Sequence, residues 1–316
     1  MRTLARFALS IGLAAALLAG CSGSQPPIGA PGATPQAPAI ARARTGVQRM
    51  TTYSYRVAYR FAYTRDGGRP EGSLIDVNGK LYGTTRFGGG GACSLFGGTG
   101  CGTVFRLDPK SGLKKVVYRF RGGSSDGAYP NGGLIDVNGT LYGTTTYGGG
   151  GCDNDGCGTI FSVSMTGAET MLHTFDHPSD GQWPFGGLID VNGILYGTTE
   201  YGGGCDCGTV YTITTSGSEK VLYDFGPDAQ YPVASLLDVK GTLYGTTLAG
   251  GSSDYGTVYS ITTTGTEKVL HSFGSSPDGA TPTSGLIDVG GTLYGTTPAG
   301  GDSICYEVGQ TACGVV

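Results

Sequence analysis

The stretch that decides the fold is Gly132–Thr145, which reads Gly-Gly-Leu-Ile-Asp-Val-Asn-Gly-Thr-Leu-Tyr-Gly-Thr-Thr. Residue types that favour strands flank the dipeptide formed by Asn138 and Gly139 on both sides. Asn-Gly is the strongest short hairpin signal, because both residues tolerate a positive φ. The stretch therefore predicts two antiparallel strands joined by a two-residue turn.

This hairpin belongs to a repeat. The string Leu-Tyr-Gly-Thr-Thr begins at Leu81, Leu141, Leu195, Leu243 and Leu293. Each copy carries four strand-like segments in one order, and in the second copy they are Leu134–Val137, Leu141–Thr145, Gly158–Phe161 and Met171–Phe175. A period of about 50 residues is typical of four-stranded propeller blades, and the 61 glycines make helices costly. Residues 52–316 are therefore predicted to form an all-β, five-bladed β-propeller of four-stranded antiparallel blades.

The two ends of the repeat region suggest how the blades close. Val57–Phe61 closely matches Val116–Phe120, the fourth strand of the first copy. The last copy has two clear strands and then Cys313–Val316, a clipped third strand. We therefore expect the N-terminal strand to complete the fifth blade and close the propeller. The alternative is a fragment of a longer array.

The first residues predict export. Arg2 and Arg6 precede a short apolar run, 7–18, that suits a signal peptide and is too short for a comfortable membrane span. The run leads into Leu-Ala-Gly-Cys, ending at Cys21, which resembles the lipobox of bacterial lipoproteins. The resemblance implies a signal peptide over 1–20, cleavage before Cys21 and acylation of that cysteine. An ordinary secretory signal is the alternative.

The expected lipid anchor also predicts the membrane at which the protein is held. Residues 21–51 are rich in Pro, Gly and Ala, which predicts a lipidated, disordered tether. Ser22 stands where an inner-membrane retention signal would usually have Asp. We therefore expect an exported protein, held through its lipid at the outer membrane or cell surface more than at the inner membrane.

Eight further cysteines form four pairs in the loops between second and third strands, and the fourth copy lacks both members. The pairs are Cys93 with Cys101, Cys152 with Cys157, Cys205 with Cys207, and Cys305 with Cys313. In an exported protein this pattern predicts disulfides within the loops. A bridge across the single residue between Cys205 and Cys207 is expected to be strained, and the pair labile or reduced. Zinc needs ligands that converge on one point, whereas these pairs lie in different copies with no histidine among them, so we expect no metal and no cofactor.

The repeated units resemble a known family. These units are Asp-Gly-x-x-Pro-x-x-Gly-Leu-Ile-Asp, Leu-Tyr-Gly-Thr-Thr-x-x-Gly-Gly and Gly-Thr-Val-Phe/Tyr. They are similar to the Gly-rich tandem repeat called GloVer, of Gloeobacter–Verrucomicrobia type, over most of residues 52–316. The resemblance implies an exported or surface-anchored repeat protein, and it supplies no catalytic residues to carry over.

Because each copy has an even number of antiparallel strands, its variable segments lie at the same end of the sheet, a relation here called strand parity. In a four-stranded meander, the cysteine loops and the links between copies open on the same face. That face receives six aromatic residues, which form the candidate binding face: Phe87, Tyr129, Tyr147, Trp183, Tyr201 and Tyr231. Exposed rings can stack on a sugar or peptide. The alternative is that these rings pack the loops.

Carboxylates on the first strands raise the question of an enzyme. They are Asp76, Asp136, Asp190, Asp238 and Asp288. A hydrolase needs two carboxylates in unlike environments, whereas these positions are equivalent. Each lies two residues before its turn and can accept backbone N–H bonds, so we expect them to brace the turns; a cation-binding ring is the alternative.

These observations favour a non-enzymatic binding or scaffolding module at the cell envelope, with a glycan or protein partner. The net charge of −4 and the absence of a basic stripe argue against nucleic acid. A polysaccharide hydrolase or lyase with a channel active site is one alternative, and a purely structural surface repeat is another. The oligomeric state stays open.

Overall fold

A computed structural model describes residues 54–63, 65–94, 99–152, 155–274, 276–301 and 314–316. The expected signal peptide, the lipidation site Cys21, the tether, and the pair Cys305 and Cys313 lie outside these ranges. Tyr55–Val316 forms one unit, which begins three residues after the predicted start. None of the described residues is helical, so none belongs to a helix that could cross a membrane.

The described residues form 22 strands. In chain order they are β1 (Ile75–Val77), β2 (Lys80–Thr85), β3 (Thr103–Leu107), β4 (Lys114–Arg119), β5 (Gly127–Ala128), β6 (Ile135–Val137), β7 (Thr140–Thr145), β8 (Tyr147–Gly148), β9 (Thr159–Ser164), β10 (Glu169–Thr174), β11 (Ile189–Val191), β12 (Ile194–Thr199), β13 (Thr209–Thr214), β14 (Glu219–Asp224), β15 (Ala229–Gln230), β16 (Leu237–Val239), β17 (Thr242–Thr247), β18 (Ala249–Gly250), β19 (Thr257–Thr262), β20 (Glu267–Ser272), β21 (Ile287–Val289) and β22 (Thr292–Tyr294).

Each of the first four copies is one antiparallel meander. The four sheets are β1-β2-β3-β4, β6-β7-β9-β10, β11-β12-β13-β14 and β16-β17-β19-β20, and the fifth copy contributes the pair β21-β22. Asn78, Asn138 and Asn192 adopt a positive φ between first and second strands, as their Asn-Gly turns require. The predicted all-β repeat of four-stranded sheets is confirmed.

Successive copies meet through backbone close to their first strands. β1 lies beside β6, β6 beside β11, and β11 beside β16. The Thr144 hydroxyl donates to the Gly186 carbonyl of the next copy at 3.0 Å, and Thr84, Thr198 and Thr246 make the equivalent bond. A Cβ on Gly132 would lie 2.7 Å from the backbone nitrogen of Gly187. Glycine at this position therefore lets two copies approach closely.

Aromatic rings join the copies further out. The Phe that directly follows one fourth strand packs on the third-strand ring of the next copy, as Phe120 does on Phe161 at 4.9 Å between centroids. The pairs Phe175–Tyr211 and Phe225–Tyr259 repeat this contact at 5.1 and 5.0 Å. Phe120, Phe161 and their equivalents in these pairs are almost fully buried. Such contacts carry much of the core energy of a β protein.

Val57–Phe61 takes the place of a fourth strand ahead of the first copy. Phe61 packs on Phe105 at 5.1 Å, the same relation that Phe120 has to Phe161. The segment is not assigned as a strand, and it pairs with no strand among the described residues. At the other end Ile287 is 60% exposed, whereas its equivalents in earlier copies are half-buried. The Phe61 contact is the one that the end of a fourth strand makes in later copies, and the pairing of the segment with the fifth copy belongs to the proposal below.

Three disulfides cross-link the loops between second and third strands. Cys93 is bonded to Cys101, Cys152 to Cys157, and Cys205 to Cys207. The predicted pairing is confirmed for these three pairs, and Cys205 and Cys207 are bonded to each other rather than reduced. Disulfides of this kind indicate an oxidising compartment.

Removing the disulfide that closes the longest of these loops is expected to destabilise the protein measurably. Replacing Cys93 and Cys101 together by alanine should lower the free energy of unfolding by about 2.5 kcal/mol, because the open loop gives the unfolded chain more freedom. The pair Cys205 and Cys207 is separated by only 2 positions, so the same double substitution there should cost about 1 kcal/mol. Denaturant titration checks both. Equal losses would contradict the chain-entropy explanation.

Candidate functional site

The cysteine loops and the links between copies lie side by side. In the second copy the link strand β5 pairs with β8, at the start of the cysteine loop, and in the fourth copy β15 pairs with β18. Isolated bridges make the same connection in the other copies: Gly68 with Phe87, Gln182 with Tyr201, and Ala280 with Ala299. The predicted common side of loops and links is therefore confirmed for the described residues.

Each link holds its last residue before proline in a fixed, unusual conformation. Tyr129, Trp183 and Tyr231 have φ between 57° and 61°, a region that non-glycine residues enter at a cost. Their N–H groups donate, at 2.8 Å each, to the carbonyl of the cysteine preceding the third strand of the copy before. These bonds orient the three aromatic side chains toward their neighbours.

The six predicted aromatic residues form one continuous row of edge-to-face and tilted ring contacts across the copies, here called the aromatic stack. Neighbouring centroids lie 5.1 to 5.8 Å apart in the order Phe87, Tyr129, Tyr147, Trp183, Tyr201, Tyr231. Link rings alternate with rings from the start of the cysteine loops. The structure thus brings together residues that are up to 144 positions apart in the sequence, counting from 87 to 231.

Burial corrects the expectation that these rings are exposed. Phe87 and Tyr129 are each 1% exposed and Tyr147 is 7% exposed, so the expectation is wrong for these three. They are covered because each packs between rings of adjacent copies, which removes more apolar surface from water than exposure would allow. Trp183, Tyr201 and Tyr231 are half-buried, and a ligand could reach only these three rings.

A cavity of about 310 Å³ lies where the links of four successive copies converge. Its walls include Asn131, Phe185, Val233 and Thr283, each of which directly follows the proline of its link. Glu200 and Leu248, which follow the second strands of the third and fourth copies, complete this set. We call this cavity, with these six residues, the link cavity. The cavity is open to solvent, and its volume is at the lower end of the range for ligand sites.

Sequence reasoning missed the link cavity, although a signal was present. The residue after the link proline is Glu71, Asn131, Phe185, Val233 and Thr283 in the five copies. The proline before it is the same in all five copies and a small residue always follows it, whereas this position carries an acid, an amide, an aromatic ring, an aliphatic chain and a hydroxyl. A position that varies within an otherwise regular repeat is free of the packing role its neighbours share, and it can serve recognition.

Glu200 gives the link cavity an ionisable group. Its N–H donates to the Trp183 carbonyl at 3.1 Å, which ties it to the aromatic stack. Burial raises the pKa of the Glu200 carboxyl to about 7, and a hydrogen bond from Tyr201 opposes part of that rise. Near neutral pH this carboxyl can therefore either donate or accept a hydrogen bond.

The first-strand aspartates brace the hairpin turns. In four copies the Oδ1 atom accepts the N–H of the glycine three residues later, at 2.7 to 2.9 Å, and these aspartates are Asp76, Asp190, Asp238 and Asp288. Their first strands expose the aspartate to solvent. The prediction of turn bracing is confirmed for these four.

Comparison with known proteins identifies the repeat. The profile of the Gloeobacter/Verrucomicrobia repeat matches residues 45–209 and 91–308. No curated protein matches the chain. Among solved structures, the crystal structure of a nidogen/laminin complex is similar, with 18% identity, a TM-score of 0.45, and coverage of 70% of this chain and 69% of that one. The matched residues span most of the chain, which therefore belongs to the Gloeobacter/Verrucomicrobia repeat family.

Proposed function

We propose that this protein is a lipid-anchored, five-bladed β-propeller that binds a glycan of the cell envelope in its link cavity, without catalysis. The lipid anchor rests on Cys21 and the sequence before it, and the export it requires agrees with the three disulfides. The observation that carries the proposal is the link cavity, because equivalent residues of four copies line one space.

The junctions between copies support the propeller. Three successive junctions repeat the same threonine-to-carbonyl bond and the same ring contact, so each of these copies is turned relative to the last by a similar step. Equivalent residues of successive copies then converge on one axis, as the link cavity indicates. In this proposal Val57–Phe61 pairs with the third strand of the fifth copy and closes the circle.

The chemistry of the link cavity favours a glycan over a protein surface. Phe185 is a half-buried ring that can stack on the apolar face of a sugar. Asn131, Thr283 and Glu200 offer an amide, a hydroxyl and a carboxyl to bind sugar hydroxyls. A cavity of about 310 Å³ admits one or two sugar units more readily than a folded partner.

Glycan arrays with purified envelope polysaccharide fragments test this function. Phe185→Ala and Asn131→Ala should each weaken binding about tenfold or more, because each removes a contact worth about 1.5 kcal/mol or more. Leu113→Ala is the matched control: Leu113 is 75% exposed and lies in the turn between β3 and β4, so binding should not change. Failure of the wild type to bind any glycan, with capture of an envelope protein instead, would replace the glycan by a protein partner. Failure of both would favour a structural repeat.

A polysaccharide hydrolase or lyase remains the second candidate, favoured by Glu200 alone. A carboxyl whose pKa is raised to about 7 is suited to act as a general acid. The same fragments, incubated with the protein and analysed by mass spectrometry, distinguish the two functions. Shortened products that disappear in Glu200→Gln would establish the enzyme, and intact fragments would support binding.

A further inference from the structure

The junction between the second and third copies gathers three side chains with metal-ligating atoms. His173 lies on β10, Asp180 lies in the following link, and Glu219 lies on β14. One ligand atom from each of the three lies within 4.8 Å of the other two, and all three residues are half-buried. His173 Nε2 is 2.8 Å from Asp180 Oδ2. These three residues are called the His173 cluster.

Flanking junctions carry a tyrosine where the His173 cluster has its histidine. Tyr118 donates its hydroxyl to Asp126 Oδ2 at 2.9 Å, and Tyr223 donates to Glu267 Oε2 at 3.3 Å. Burial and Asp126 raise the pKa of Tyr118, so its phenol keeps its proton and is a poor ligand. An imidazole preserves the hydrogen bond to the link aspartate and adds a nitrogen donor suited to transition metals.

Glu219 has an unused ligand atom. Its Oε1 is buried and has no hydrogen-bond partner among the described residues. The Oε1 atoms of Glu169 and Glu267 in the flanking junctions are also buried without a partner. There the neighbouring side chain is a tyrosine, as Tyr223 is beside Glu267, whereas Glu219 has the imidazole of His173 and the carboxylate of Asp180 beside it. A buried oxygen without a partner is unfavourable, and a cation held between the three side chains would satisfy it.

We propose that His173, Asp180 and Glu219 bind one zinc ion at this junction. One imidazole and two carboxylates form a donor set that zinc accepts, with water in the fourth position of a tetrahedron. Tetrahedral ligands at about 2.0–2.1 Å from zinc lie about 3.4 Å apart, so the side chains need only small movements from their present positions. The ion joins two copies that are otherwise held by packing and hydrogen bonds, and it stabilises the folded chain.

Isothermal titration of the full chain with zinc chloride, after EDTA treatment and desalting, tests the site. The wild type is expected to bind one zinc per chain. His173→Tyr should abolish that binding and still fold, because Tyr118 and Tyr223 occupy the same position in neighbouring copies. The matched control is His271→Tyr, which changes the equivalent histidine of the last junction. His271 belongs to no three-ligand group among the described residues, so this variant should bind zinc as the wild type does.

A second variant and a second readout separate the site from general unfolding. Glu219→Gln removes one ligand and preserves shape, and it should weaken zinc binding while leaving the circular dichroism spectrum unchanged. Zinc should raise the melting temperature of the wild type and of His271→Tyr, with no such rise in His173→Tyr. A wild type that binds no zinc, or a His173→Tyr variant that binds it unchanged, overturns the assignment.

Discussion

Phe120→Ala is expected to lower the free energy of unfolding by about 4 kcal/mol. Phe120 is fully buried and packs on Phe161 across the junction between the first and second copies, with 4.9 Å between centroids. Truncation removes that ring contact and leaves a cavity that two rigid sheets cannot easily close. Denaturant unfolding followed by circular dichroism measures the loss.

The matched control for this substitution is Phe273→Ala. Phe273 holds the equivalent position in the fourth copy, but it is only half-buried and contacts the ring of His271 on its own strand. Its truncation should therefore cost about 1–2 kcal/mol, because less apolar surface returns to water. Equal losses at the two positions would contradict the importance of the junction contact.

Gly132→Ala is expected to destabilise the protein by about 3 kcal/mol or more, although it adds one methyl group. The new Cβ would lie 2.7 to 2.8 Å from backbone atoms of Gly186 and Gly187 in the next copy. Backbone cannot rotate aside as a side chain can, so the two sheets must move apart. That movement strains the bond by which Thr84 donates to the Gly132 carbonyl. Thermal and denaturant unfolding measure the effect.

Gly139→Ala is the control that measures the cost of an unfavourable backbone conformation without steric crowding. Gly139 has a φ of 81°, but no atom lies within 4 Å of its added Cβ. Alanine there should cost about 1 kcal/mol, from the left-handed backbone alone. A Gly132→Ala variant no less stable than Gly139→Ala would show that the copies do not approach as closely as the structure has them.

Several features of the fold followed from the sequence because they are local. The strands of the second copy were predicted within a few residues of β6, β7, β9 and β10. The Asn-Gly turn at Asn138 was expected from its own two residues, whose φ values are positive. The pairing of Cys93 with Cys101 followed because each pair lies within one loop and the fourth copy lacks both members, in a protein expected to be exported.

The sequence predicted the candidate site only in part. Strand parity correctly placed loops and links on one side, because alternation along a meander needs no knowledge of packing. It could not say that Tyr129 and Phe87 would be buried, since their cover comes from rings of adjacent copies. It also missed Glu200 as a cavity residue, and it did not bring His173 together with Glu219, which lies in the next copy.

By itself, the sequence determined the repeating unit: four antiparallel strands, tight turns with positive φ, and loops stapled by disulfides. Those properties depend on residues within one copy, where turn chemistry and strand preference act over a few positions. Only the tertiary structure decided which aromatic rings are covered, that the residues after the link prolines line one cavity, and that His173 meets Glu219. The physical reason is that burial and convergence arise between copies, where the distances depend on how closely the sheets pack.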